Sequence, residues 1–303
     1  MEKSKFNRYK KMALSGELFY KIKQKMSVCF IKNKSIKNLV LEDKEYRRLK
    51  RKYYKIIENR KPTQKMKKSD YVWVFWYQGI ENAPLLVKKC IDSIKTTFKK
   101  KKLVIITKDN YKKYVEFPDY IMKKFEKGLI SFTHFSDLLR IELLAKYGGI
   151  WCDSTLLFTG EIPDYVEDAD LFVFKNVSLD RDDASPIVAS SWFMAAKSNN
   201  DIIEATRDLL YDYHKKEKVL KNYFLIHLFF TIATEKYDDQ WKKIPTYSNV
   251  NPHILQFELL EEYNKERFDQ IKSMSFVHKL NKVLVNEDKN KYTFYDYILE
   301  KKK

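Results

Sequence analysis

Cysteine is scarce in this 303-residue chain: Cys29, Cys90 and Cys152 are odd in number and far apart, with no C-x-x-C or Cys/His zinc spacing. That excludes a disulfide framework and a zinc module, and it fits a reducing compartment. Glycine (6) and proline (7) are rare while aromatics reach 15%, which excludes fibrous and disordered classes. Long apolar runs are missing too. The longest, Tyr223 to Thr234, carries His227 and falls short of the ~18–20 residues needed to span a bilayer. The N-terminus lacks an apolar core followed by a small-residue cleavage site, so the expected location is cytosolic, or peripheral on the cytosolic face of a membrane.

Acidic residues are nearly missing from one place only. Residues 1–68 hold 23 Lys and Arg against 6 Asp and Glu, a net of +17 out of +18 for the whole chain. The body is balanced and the basicity belongs to the front. Leu14, Leu18, Ile22, Met26, Cys29 and Phe30 follow helical steps with Lys21, Lys23 and Lys25 between them. Leu39, Tyr46 and Tyr53 recur every seven residues, with Leu49 and Ile56 offset by three. Both read as basic amphipathic helices. Three roles stand open: residues 1–60 on an anionic membrane surface, packing on the body with a solvated basic face, or nucleic-acid binding. For the last, no zinc-finger, RRM or bZIP pattern accompanies the charge, and no nucleic-acid partner is expected.

After Lys61-Pro62-Thr63, a linker by composition, residues 69–303 read as one α/β domain. Tyr71–Tyr77 and Leu103–Thr107 are strand-like runs around a helix from Pro84 to Phe98, an order that implies parallel pairing. Short helices are expected at Tyr111–Val115 and Asp119–Lys127. Strands follow at Leu171–Phe174 and Ser190–Ala196, and helices at Ile202–Lys216 and Tyr223–Thr234. Beyond Asp238 the pattern is poorly periodic.

The centre of the chain is Ser136–Thr155, SDLLRIELLAKYGGIWCDST. Leu138, Leu139, Ile141, Leu143, Leu144 and Ala145 surround a helix with apolar side chains, the mark of a core helix. Asp137 and Arg140, three apart, share a face. Gly148 and Gly149 end the helix, Ile150-Trp151-Cys152 is a strand, and Asp153 lies at its carboxyl end, where open α/β sheets bind ligands. A solvated ion pair is the plain reading of Asp137 and Arg140. A helix apolar on nearly every side offers little solvated face, however, and buried charges need partners or a ligand.

Ser-Asp-x-x-Arg followed by Tyr-Gly-Gly-x-Trp-x-Asp-x-Thr resembles the signature of the capsular polysaccharide synthesis branch of the family 32 glycosyltransferases. Trp76-Tyr77-Gln78-Gly79-Ile80, Ala83-Pro84, Lys89-Cys90-Ile91-Asp92-Ser93, Asn110-Tyr111, Pro118-Asp119-Tyr120, His134-Phe135, Tyr223-Phe224-Leu225-Ile226 and His278-Lys279-Leu280 extend the likeness over roughly Ser69 to Leu284. The resemblance implies a GT-A fold with a mostly parallel central sheet. It also implies transfer of a sugar from a nucleotide-sugar donor, UDP-linked, to a bacterial capsular or other surface glycan or its lipid-linked precursor. It assigns Asp137 and Arg140 to the donor sugar and Asp153 to the ribose or a Mn²⁺ or Mg²⁺ ion. Thr155 replaces the second acid of the Asp-x-Asp motif, and a hydroxyl is a weaker ligand for a hard cation. His278 and Lys279 resemble positions that reach the diphosphate or metal, completing an expected metal set of Asp153, Thr155 and His278.

Trp76 is a candidate to stack on the base or else a core tryptophan. His134 either caps the central helix or points into the cleft. His227 stands where the resemblance leads one to expect Asp. Thr155 and His227 also suit a second reading, a non-enzymatic, membrane-attached binding protein on a degenerate transferase scaffold.

Overall fold

The computed structural model describes residues 17–61, 65–177, 185–281 and 291–300. Leu14 and the Pro62-Thr63 part of the expected linker lie outside them. Among the described residues a five-stranded sheet is ordered β2-β1-β3-β6-β5. Its strands are β1 (Tyr71–Phe75), β2 (Lys102–Ile106), β3 (Gly149–Cys152), β5 (Leu171–Lys175) and β6 (Ala189–Ala196). β1 runs parallel to β2 and β3, while β6 is antiparallel to both β3 and β5. Four strands thus share one direction and β6 alone is reversed, giving the mostly parallel sheet expected.

Side-chain alternation divides the core between the two faces of this sheet. Trp73, Phe75 and Trp151 point into one apolar cluster with helix α6 (Phe132–Tyr147), α8 (Asp201–Lys216) and α9 (Leu225–Lys236). Val72, Val74, Ile150 and Cys152 point into the other, with α4 (Leu85–Thr97). Burial on both faces explains why these strands read as unbroken apolar runs. A third cluster joins Leu86 and Cys90 of α4 to Leu255, Phe268, Ile271 and Phe294 of the C-terminal helices, where periodicity had been uninformative.

The basic front end is joined to this core. Helix α1 covers Glu17–Met26, α2 Lys34–Tyr53 and α3 Lys55–Glu58. Leu49, Tyr53 and Ile57 are buried in the same cluster as Trp73. Steps of four put Leu49, Tyr53 and Ile57 on one buried face, while Ile56, expected on the stripe, is exposed. Arg60 then binds Asp201, Glu204 and Asp208 of α8. Composition changes near residue 68, but packing does not.

Two glycines make the central turn possible. Gly148 and Gly149 both have positive φ, +66° and +99°, the region that side chains disfavour. A Cβ on Gly149 would collide with the carbonyl oxygen of Tyr71 on β1, and one on Gly148 would lie 2.5 Å from Ser198 N. The indole N–H of Trp73 donates to Gly148 O at 2.9 Å, tying the turn to β1.

Candidate functional site

Helix α6 begins four residues before the signature, with Ser131 accepting from His134 N as its N-cap. Asp137 and Arg140 lie on it, buried, one turn apart. Arg140 Nη1 donates to Asp137 Oδ1 at 2.9 Å, and Nη2 donates to Asp153 Oδ1 at 2.9 Å, just past β3. One guanidinium, 4% exposed, therefore bridges the helix acid and the strand-end acid. The three residues singled out in the sequence form one constellation.

Trp151 completes it. Strand alternation puts Trp151 on the same side as Asp153 two residues on. Its indole N–H donates to Asp153 Oδ1 at 3.0 Å, and its ring lies 4.9 Å from Arg140 Cζ, a cation–π contact. Its period-two spacing from Asp153 was the available signal.

The fourth member arrives from far along the chain. Strand β4 (Leu156–Phe158) pairs antiparallel with β7 (Val277–Lys279), Leu156 opposite Lys279, while Leu280 N donates to Thr155 O. This register sets Lys279 Nζ 3.3 Å from Asp153 Oδ2 and 2.5 Å from Thr155 Oγ1. Burial pushes the Asp153 carboxyl up, but Lys279, Arg140 and the Trp151 N–H outweigh it and hold the group below its ordinary range. The acid stays ionised at neutral pH, with a quarter of its side chain reaching solvent.

His278 is not brought to this place. It neighbours Lys279 on β7, so its side chain leaves the opposite face, fully buried, with Nε2 2.9 Å from Thr159 Oγ1. Burial lowers it to about 4. The expected metal set of Asp153, Thr155 and His278 is therefore not assembled: Asp153 and Thr155 meet across an ammonium group, and the imidazole is elsewhere. Among the described residues no three His, Cys, Asp or Glu side chains gather to hold a metal ion.

The other candidates are placed as follows. Trp76 follows β1 at the same carboxyl edge, one residue beyond the level of Asp153. It is half-buried against the Val72–Val74 face with its indole N–H unpartnered. His134 neither caps α6 nor opens to solvent. Its ring is buried, Nε2 lies 2.8 Å from His214 Nε2, and Nδ1 lies 3.4 Å from Asp137 Oδ2. His227, on α9, packs near the constellation with Nε2 3.1 Å from Ser191 Oγ. Burial, against the pull of Asp137, lowers it to about 4 and keeps it neutral. Cavities of about 540, 530 and 820 Å³ lie elsewhere; none is lined by Asp137, Arg140 or Asp153. All three cysteines are free, Cys90 and Cys152 buried.

These features define an α/β protein with an ionised carboxylate held between two cations at the mouth of its sheet. The family model described as capsular polysaccharide synthesis protein matches residues 24–298, and the chain belongs to that family. No curated protein matches it. Among solved structures it is similar to the PaToxG glycosyltransferase, with 16% identity over 80% of this chain and 99% of that one and a TM-score of 0.40. No helix among the described residues is long and apolar enough to cross a membrane.

Proposed function

We propose that this chain is a glycosyltransferase on a GT-A-like fold. It moves a hexose or related sugar from a UDP-linked donor to a capsular or other surface glycan or its lipid-linked precursor. Family membership supports the pathway class. The single observation that carries the chemistry is the Asp137–Arg140–Asp153–Lys279 chain at the carboxyl end of β3.

In transfer, the bond from the anomeric carbon to the diphosphate oxygen breaks, a bond to the acceptor oxygen forms, and the acceptor proton passes to the departing diphosphate. Asp153 accepts hydrogen bonds from donor hydroxyls, and its charge makes those bonds the stronger kind. Arg140 gives one Nη1 and one Nη2 bond to the two carboxylates, so it acts as a positioning residue that aims Asp153. Lys279, spanning Asp153 and Thr155, is the cation placed to meet the developing charge of the leaving diphosphate. Trp76 offers its face to the base at the same sheet edge.

Nucleotide release from a panel of UDP-sugars tests this. Lys279→Ala is expected to lower turnover by roughly 10²-fold or more, the usual cost of one key electrostatic group, while EDTA leaves the wild type unchanged. Release abolished by EDTA, restored by Mn²⁺ and indifferent to Lys279→Ala would hand the charge role to a metal. No release from any sugar nucleotide would end the transferase reading.

A further inference from the structure

Helix α1 is docked the wrong way round for an ordinary surface helix. Tyr20 and Gln24, one turn apart, form its inner edge: Gln24 Nε2 donates to the Tyr20 hydroxyl at 2.8 Å, and that hydroxyl donates to Glu45 of α2. Glu45 is buried and held by Arg48 at 2.7 Å. Phe19, Ile22 and Met26, at steps of three and four, form the arc on the far side. They are 75%, 48% and 68% exposed, and Phe30 just beyond is 93% exposed. A packed amphipathic helix hides its apolar stripe; this one shows it.

Lys23, Lys25, Lys32 and Lys34 surround the arc, exposed, and none makes an ion pair among the described residues. A polar edge tethered to the protein, an apolar arc facing out and flanking lysines match the physics of an interfacial helix. We infer that α1 and the Phe30 turn are a docking surface for an anionic lipid leaflet, with Phe19, Ile22, Met26 and Phe30 entering the headgroup boundary and the lysines meeting phosphates.

Charge selects this occupant. Residues 1–68 carry a net of +17 while the rest carries +1, so the attraction is local to this end. A second copy on the same arc would bring two such blocks together and be repelled. A nucleic acid would satisfy the lysines but give the apolar arc nothing to do. The inference stands whether or not the chain transfers sugar.

The full chain is co-sedimented with phosphatidylcholine vesicles, with and without phosphatidylglycerol, across a salt series. Binding is expected to the anionic vesicles and to fall with salt. The triple variant Phe19→Ser, Ile22→Ser, Met26→Ser should weaken it by roughly tenfold or more with the melting temperature unchanged, because these side chains touch solvent. Lys23→Ala with Lys25→Ala should weaken binding at low salt. Should the triple variant fold poorly, Phe30→Trp gives a second readout: a blue-shifted fluorescence increment with anionic vesicles.

Any one of several results would overturn the inference. They are no binding to anionic vesicles, binding indifferent to the triple variant, no blue shift, or a concentration-dependent dimer dissolved by that variant. Tighter capture by a DNA oligonucleotide than by vesicles would also refute it.

Discussion

Replacing Arg140 with alanine removes the group that bridges both acids, and the structure sets the size of the effect. Two charge-assisted hydrogen bonds of 2.9 Å and the stacking on Trp151 are lost. Asp137, buried, is left with the His134 ring at 3.4 Å as its nearest polar neighbour. Asp153 is better served, because it keeps Lys279 and the Trp151 N–H and is partly solvated. Breaking a buried pair by deleting one partner costs about 3–5 kcal/mol. The solvated Asp153 arm argues for the lower end, about 3 kcal/mol. Urea unfolding followed by far-UV circular dichroism measures this as a shifted midpoint at constant slope. Adding Asp137→Asn should recover at least about 1 kcal/mol, since the uncompensated buried charge goes with it. A single variant within about 0.5 kcal/mol of wild type, the range of ordinary surface substitutions, would refute the reasoning and return Asp137 and Arg140 to a solvated ion pair.

Gly149→Ala places a methyl group against the Tyr71 carbonyl at φ +99° and should cost about 2 kcal/mol or more, read as a lower urea midpoint. An unchanged midpoint would mean that β1 and β3 can part without penalty. His278 is held at about 4 by burial, below the ~6.5 of an unfolded histidine. Its neutral form is the folded one, so its contribution is complete above pH ~6.5 and is lost as pH falls toward 4. The difference of 2.5 units is worth about 3 kcal/mol at about 1.4 per unit. The stability of the wild type relative to His278→Gln should therefore fall by about that much between pH 7 and 4, and a pH-independent difference would contradict the burial argument.

Local chemistry made the centre of this protein legible. An all-apolar helix, two glycines and a three-residue strand are short-range signals, and α6, its stop and β3 lie where they point. The ends of α4 and β6 follow within one residue for the same reason, while β1 stops at Phe75, two residues short of the expected Tyr77. Lys279 was visible as a residue but its position was not: β4 and β7 are three residues each, too short for periodicity, and the pairing closes a loop of more than a hundred residues. His278 was misplaced by the same blindness, since the register of β7 decides which of two neighbours faces Asp153. His134 was misread because its partner, His214, is supplied by α8. The reversed docking of α1 depends on one buried acid, Glu45, whose burial no pattern announces.

The central claim is that Asp153, aimed by Arg140 and flanked by Lys279, grips a sugar nucleotide. Isothermal titration calorimetry of a UDP-sugar panel against the wild type and Asp153→Asn tests it most directly. The account expects at least one sugar nucleotide to bind the wild type and to bind the variant roughly tenfold or more weakly, one charge-assisted contact at about 1.4 kcal/mol per decade, with the variant still folded by far-UV circular dichroism. Equal affinity for both proteins would contradict it.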